Sequence, residues 1–172
     1  MILQGAICIL RAVEPMDIEL LYEWENNISV WSVSGTTTPF SRHTLSRFVE
    51  EQQFDIYQTK QQRLIIETLD HVAVGAIDLF EFDPLNQRIG IGILIHEGVN
   101  RGRGYACDAL EVVCRYAREY LFAHQLWCNI GGNNQASIAL FTKLGFELIG
   151  IKKGWNITIE GREDEMMFQK IL

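Results

Sequence analysis

Asn100-Arg101-Gly102-Arg103-Gly104-Tyr105-Ala106 decides how this chain folds, because two well-marked elements meet there. Before it runs Ile89-Gly90-Ile91-Gly92-Ile93-Leu94-Ile95, β-branched and almost wholly apolar, as befits a strand buried on both faces. After it, Ala106, Leu110, Val113, Cys114, Ala117 and Leu121 recur at helical spacing, with Asp108, Glu111, Arg115 and Arg118 opposite. A buried strand therefore feeds a two-glycine loop that opens directly into an amphipathic helix. The first N–H groups of that helix lack intrahelical partners and face whatever lies at its mouth. Together with the positive end of the helix dipole they favour an anion, most naturally a phosphate. Gly102 and Gly104 let backbone approach such an anion without a Cβ, and Arg101 and Arg103 add charge. A tight strand-to-helix turn would use the same two glycines, so the loop alone does not separate the two uses.

Known phosphate fingerprints narrow the choice. Gly-x-x-x-x-Gly-Lys-Ser/Thr is absent, and the dinucleotide pattern lacks its third glycine and its acidic follower. Arg101-x-x-Gly104-x-Ala106 resembles instead the Gln/Arg-x-x-Gly-x-Gly/Ala signature of the GNAT acetyltransferases. Asn134-x-x-Ser137 followed by Phe141-x-x-Leu144-Gly145-Phe146 is similar to that family's second signature. The likeness extends from Leu10-Arg11 to the C-terminal strand and is nearest to the ribosomal-protein and spermidine N-acetyltransferase branch.

The resemblance implies acetyl-CoA as co-substrate, its pyrophosphate on the 101–106 loop: Arg101, Gly102, Arg103, Gly104, Tyr105 and Ala106. It implies that Ile93, Leu94 and Ile95 pair through their backbones with the pantetheine amides, as an added strand would. Asn134 and Ser137 would touch the cofactor as well; a helix cap is the other use open to Asn134. No metal is implied. The family's second signature often carries a Tyr that protonates the leaving thiolate, and this chain has Phe141. Polyamine enzymes often carry an acid on the cofactor strand where this chain has Gly90.

Composition sets the outer bounds. With 172 residues, 48% of them hydrophobic and 22% charged, the chain reads as one globular domain spanning 1–172. No 18-residue apolar run marks a membrane span, and the N-terminal stretch lacks a basic region, which points to the cytoplasm. Cys8, Cys107, Cys114 and Cys128 have no paired spacing and read as reduced thiols. Fifteen basic against 22 acidic residues give a net charge of −7, which argues against nucleic acid and for a cationic substrate. Association into a homo-oligomer is compatible with all of this.

Taken in order, the chain predicts a strand over 7–11, a helix over 14–26, an irregular Ser/Thr-rich segment over 30–40 and a helix capped by Ser41. Strands follow over 63–68, 72–82 and 88–96, then the long helix, a strand over 126–130, a helix capped by Asn134 and ended by Gly145, and strands over 146–155 and 165–171. The pattern predicts an α/β (α+β) fold: a mixed, mostly antiparallel sheet of about seven strands flanked by helices. Its one parallel crossover, right-handed by the usual rule, lies at the cofactor cleft. The family resemblance implies the same order.

Acetyl transfer needs a neutral amine. A primary ammonium with a pKa of about 10.4 is only about 0.04% deprotonated at pH 7, a cost of about 4.6 kcal/mol. A carboxylate can accept that proton and also hold a cation in place. Asp78, on an apolar strand beside the cofactor strand, is the candidate catalytic residue; Glu67, Glu81, Glu97 and His96 are the alternatives. Three readings follow: an N-acetyltransferase acting on a small polyamine-like amine or a protein N-terminal amine, an acyl-CoA-binding or sensing domain without catalysis, and a plain α/β domain.

Overall fold

The computed structural model describes residues 3–96 and 98–172. Its strands are β1 (Cys8–Ala12), β2 (Gln62–Thr68), β3 (Ala73–Asp83), β4 (Arg88–Ile95), β5 (Gln125–Gly131), β6 (Glu147–Thr158) and β7 (Gly161–Ile171). They form one seven-stranded sheet in the order β1-β2-β3-β4-β5-β7-β6. Every neighbouring pair is antiparallel except β4 and β5, which run parallel.

The helices are α1 (Ile18–Glu25), α2 (Ile28–Ser34), α3 (Arg42–Glu51), α4 (Ile56–Thr59), α5 (Tyr105–Glu119) and α6 (Gln135–Lys143). Two of them differ from the sequence expectation. The segment read as irregular over 30–40 contains α2, whose Asn27 side chain accepts from the Ser29 N–H and which Gly35 ends at φ +70°. Seven residues are too few to display a helical period against the β-branched and serine content of this stretch. The four-residue α4 escapes notice for the same reason; Asp55 caps it by accepting from the N–H groups of Tyr57 and Gln58. Ser41 and Asn134 cap α3 and α6 as expected, accepting from Thr44 and Ser137.

The sheet separates two cores. On one face α5 packs Ala109, Leu110, Val113 and Ala117 against Leu64, Ile77, Leu79, Ile89, Ile91 and Leu126. On the other, Leu21 and Trp24 of α1 and Leu45 and Val49 of α3 pack on Ile65 and Ala76. Alternation from Ala76 to Phe80 and along β4 therefore gives one set of residues to α5 and the other to the α1/α3 face. No helix among the described residues is long and apolar enough to cross a membrane. The four cysteines are free thiols, Cys8 and Cys128 buried and Cys107 and Cys114 half-buried. Burial pushes Cys128 up to about 12, which suits packing.

Candidate active site

The cleft begins where β4 and β5 part. Their parallel pairing covers Arg88↔Gln125, Ile89↔Leu126 and Gly90↔Trp127, and stops there. Beyond Gly90, β4 stays bonded to β3 as far as Gly75↔Ile95, and β5 stays bonded to β7. A wedge consequently opens between the two central strands toward the 100–106 loop. The His96 N–H donates to the Val74 carbonyl at 2.9 Å. Alternation along an antiparallel ladder then gives the peptide groups of Leu94 and Gly92 to β3 and turns those of Ile91, Ile93 and Ile95 into the wedge. Of the three residues expected to meet pantetheine, Ile93 and Ile95 thus present their backbones to the wedge. Leu94 contributes its side chain to the α1/α3 face.

At the wide end stands the helix mouth. Gly102 and Gly104 take φ +74° and +91°, values that residues with a Cβ reach only with strain. The first bond of the α5 ladder runs from the Asp108 N–H to the Gly104 carbonyl, 3.0 Å, so the N–H groups of Tyr105, Ala106 and Cys107 precede the ladder. Arg101 and Arg103 are exposed, and Arg101 Nε donates back to the Ile95 carbonyl at 3.1 Å. Asp108 in the first turn would repel an anion if it were free. Its two oxygens instead accept from the N–H groups of Ala6, Ile7 and Cys8, each at 2.9 Å. Burial pushes this carboxyl up, but the donated bonds outweigh it, and Asp108 titrates below the usual carboxylate range. The Asp108 charge is thereby engaged by the 6–8 backbone, while the N–H groups of Tyr105, Ala106 and Cys107 stand ahead of the helical ladder, where an anion is favoured.

At the narrow end, charges lie on the α1/α3 face. Arg63, Asp78 and Gly92 form one row across β2, β3 and β4. Asp78 holds Arg63 in a bidentate pair, Oδ1 to Nε at 2.7 Å and Oδ2 to NH2 at 2.8 Å. The remaining guanidinium nitrogen bonds Glu25 of α1. Burial disfavours the charge on Arg63, but the two carboxylates overcome it and hold the guanidinium protonated. Beside them opens a depression of about 250 Å³ walled by Phe48, Gln52 and Phe80. Gln52 Nε2 is buried there without a hydrogen-bond partner among the described residues.

The alternative proton acceptors are placed differently. Glu67 is buried and bonded to Arg11, which also pairs with Asp17. Glu81 is exposed at the bulge of β3, with φ +49°. Glu97 lies outside the described residues. His96 stacks on Trp24 of α1, ring centroids 4.2 Å apart and 3° from parallel, and its Nδ1 is buried without a hydrogen-bond partner among the described residues. Burial first, and then the charges of Arg63 and Arg101, lower His96 to about 4 against the opposing pull of Asp78.

That shift carries a pH prediction. Between pH 6.5 and 4 the unfolded chain binds a proton at His96 and the folded chain does not, so stability falls as pH falls through this window. The expected loss is about 3 kcal/mol. Asp17 and Asp108 titrate below the usual carboxylate range, so their contributions are lost at still lower pH. Denaturant titrations at pH 7 and pH 4 should show this loss in the wild type and most of it removed in His96→Phe, which keeps the stack on Trp24. An equal loss in both proteins would clear His96.

Phe141 is buried and meets Phe146 edge-to-face at 4.9 Å, so it belongs to the core. Asn134 spends its Oδ1 on the Ser137 N–H at 3.1 Å, and its Nδ2 and the Ser137 hydroxyl make no hydrogen bond among the described residues. No local pattern in the sequence singles out Arg63, its partner Glu25, Gly92 or the Phe80–Trp127 pair. A charged residue inside each of two adjacent apolar strands, at 63 and 78, is the signal that could have linked the first of these to Asp78.

Residues 8–147 match the family model described as an acetyltransferase (GNAT) domain. The chain belongs to the GNAT acetyltransferases, enzymes that move an acetyl group from acetyl-CoA to an amine. The SPbeta prophage-derived uncharacterized N-acetyltransferase YokL of Bacillus subtilis (strain 168) is 28% identical over 137 residues, covering 80% of this chain and 74% of its own. The ribosomal protein bS18-alanine N-acetyltransferase of Escherichia coli (strain K12) is 24% identical over 160 residues, 92% of this chain and 93% of its own. In structure, the spermidine N-acetyltransferase of Vibrio cholerae, solved with CoA and spermine, superposes with a TM-score of 0.85 at 20% identity over 95% of each chain.

Proposed function

We propose that the chain acetylates a primary amine by direct attack on the thioester in a ternary complex, with Asp78 receiving the amine's proton. The observation that carries this is the wedge itself. An extended arm anchored at the α5 mouth and laid along Ile95 and Ile93 ends where β4 and β5 close at Gly90–Trp127. Asp78 is the cross-strand neighbour of Gly92, one step short of that point. The amine nitrogen attacks the carbonyl carbon from the α1/α3 face, the C–N bond forms and the C–S bond breaks. The amine's proton passes to Asp78 directly or through water. A carboxylate has about four lone-pair sites, and the Arg63 fork occupies two of them. Arg63 and Glu25 thus fix the carboxylate in place while one edge faces the cleft.

No proton reaches the leaving sulfur from Phe141. A thiol with a pKa of about 8.5 can leave as thiolate when N–H groups or water receive it. The net negative charge and the Glu25–Asp78 pair favour an acceptor that arrives as a cation, either a small polyamine-like amine or a protein N-terminal amine.

The test is release of CoA thiol from acetyl-CoA against a panel of small amines and N-terminal peptides. Turnover with at least one primary amine is expected. Tight acetyl-CoA binding without thiol release for any of them would overturn the reading. In the same assay Cys107→Ser should keep most of the activity, because the transfer is direct. A large loss together with a trapped acetyl-cysteine by mass spectrometry would replace direct attack with a two-step route.

A further inference from the structure

We infer that Gly92 is the specificity-determining residue of the acceptor site: the space where its side chain would lie receives the amine, and it admits a primary amine on an unbranched carbon. The inference rests on the acetyl-transfer reading above. Two glycines interrupt the apolar run of β4 on the α1/α3 face, and the structure uses them differently. A Cβ on Gly90 would meet the Phe80 ring at 2.4 Å, so that space is already filled. Phe80 leans across Gly90 onto Trp127, centroids 5.3 Å apart and edge-to-face, and seals the floor where β4 and β5 converge. A Cβ on Gly92 would meet nothing nearer than Phe80 Cε1 at 3.7 Å, an ordinary contact. The same small residue is thus packing at one position and open space at the next.

The surroundings of that space give its chemistry. Asp78 stands directly across from Gly92, its side chain 36% exposed although Arg63 holds it. Phe80 forms the wall on the closed side and Leu94 lies on the open side. A carboxylate beside an aromatic ring accepts an ammonium group, and the ring also accommodates the first methylene behind it. An unbranched chain between Phe80 and Leu94 suits this space, which selects the small polyamine-like acceptor over a protein N-terminal amine, whose α-carbon is branched at every residue except glycine. A branch on the carbon bearing nitrogen would occupy the volume that the glycine leaves, which is where the nitrogen must lie to reach the thioester.

Gly92→Ala and Gly92→Leu test this, because the backbone there is ordinary strand and Ala meets no clash. Two readouts are taken: calorimetry with acetyl-CoA, and kcat/KM for n-butylamine against sec-butylamine. The wild type should prefer n-butylamine by about tenfold or more. Gly92→Ala should lose about tenfold on n-butylamine and Gly92→Leu at least about a hundredfold, a scale set by one and several added methylenes. The acetyl-CoA affinity of both variants should stay within about threefold, since the peptide groups of residue 92 face β3. Gly92→Leu acetylating n-butylamine at the wild-type rate overturns the inference and leaves acetyl transfer intact. A wild type that acetylates no amine removes the reading and the inference together. A Gly92→Leu variant that loses acetyl-CoA binding in parallel also overturns it, by placing residue 92 in the cofactor channel.

Discussion

Gly104→Val should abolish acetyl-CoA binding while the protein stays folded. Residue 104 caps α5 at φ +91°, a conformation that a β-branched residue adopts only at a cost of about 1–2 kcal/mol. A Cβ there would also meet Ile7 Cδ1 at 3.3 Å, which a flexible side chain can relieve. Neither effect threatens the core, and an apparent Tm lower by about 2–8 °C is expected for a chain of this size. The loop, however, must either turn its N–H donors away from the mouth or hold them behind an isopropyl group. With both the donors and the dipole end blocked, affinity for acetyl-CoA should fall at least about a hundredfold, on the scale of two or more lost charge-assisted bonds. A folded Gly104→Val that binds acetyl-CoA as tightly as the wild type would reduce the loop to a turn.

Asp78→Asn should lower kcat/KM by about a hundredfold or more and leave acetyl-CoA affinity little changed. The amide keeps the shape and one oxygen for Arg63, while Glu25 retains its own bond to the guanidinium. The fold should therefore survive, with a stability loss of about 1–3 kcal/mol for the weakened, partly buried pair. With no carboxylate to take the proton, reaction waits on the small fraction of free amine. The rate in the variant should climb tenfold per pH unit and approach the wild type near the ammonium pKa of about 10.4. A pH–rate profile separates this from a merely structural defect, which would lower the rate at every pH alike. Wild-type rate with an unchanged profile would clear Asp78 and turn attention to Glu25, which shares its arginine, and to Glu67.

Much of this was legible in the chain itself. The β4–loop–α5 unit could be read because each part has its own signal: an apolar β-branched run, paired glycines, and a helical period. The caps at Ser41 and Asn134 and the stop at Gly145 followed from local chemistry, which needs no knowledge of the rest of the fold. The cross-strand partner of Asp78 did not. The pair Glu67↔Ala73, continued without a break, would set Asp78 against Gln62; the bulge after Ile66 shifts the register and brings Arg63 opposite. A one-residue shift of this kind is invisible in composition or period, yet it decides which charge a catalytic candidate faces. The stack of His96 on Trp24 and the differing roles of Gly90 and Gly92 likewise depend on tertiary neighbours that no local pattern specifies.

The three N–H bonds that Asp108 accepts join the start of the chain to its middle, across as many as 102 residues. Ile7 lies at the lip of the loop through the same tie. Contacts of such separation carry a large loop-closure cost and form slowly compared with hairpins and helices. During synthesis, then, the strands β2 to β4 can pair as a meander well before the anion site exists. The mouth of α5 is completed only when the N-terminal segment is captured, so competence to bind the nucleotide end of the co-substrate should appear late, close to the final step of folding. A refolding experiment that follows acetyl-CoA binding and sheet formation separately should see the second precede the first.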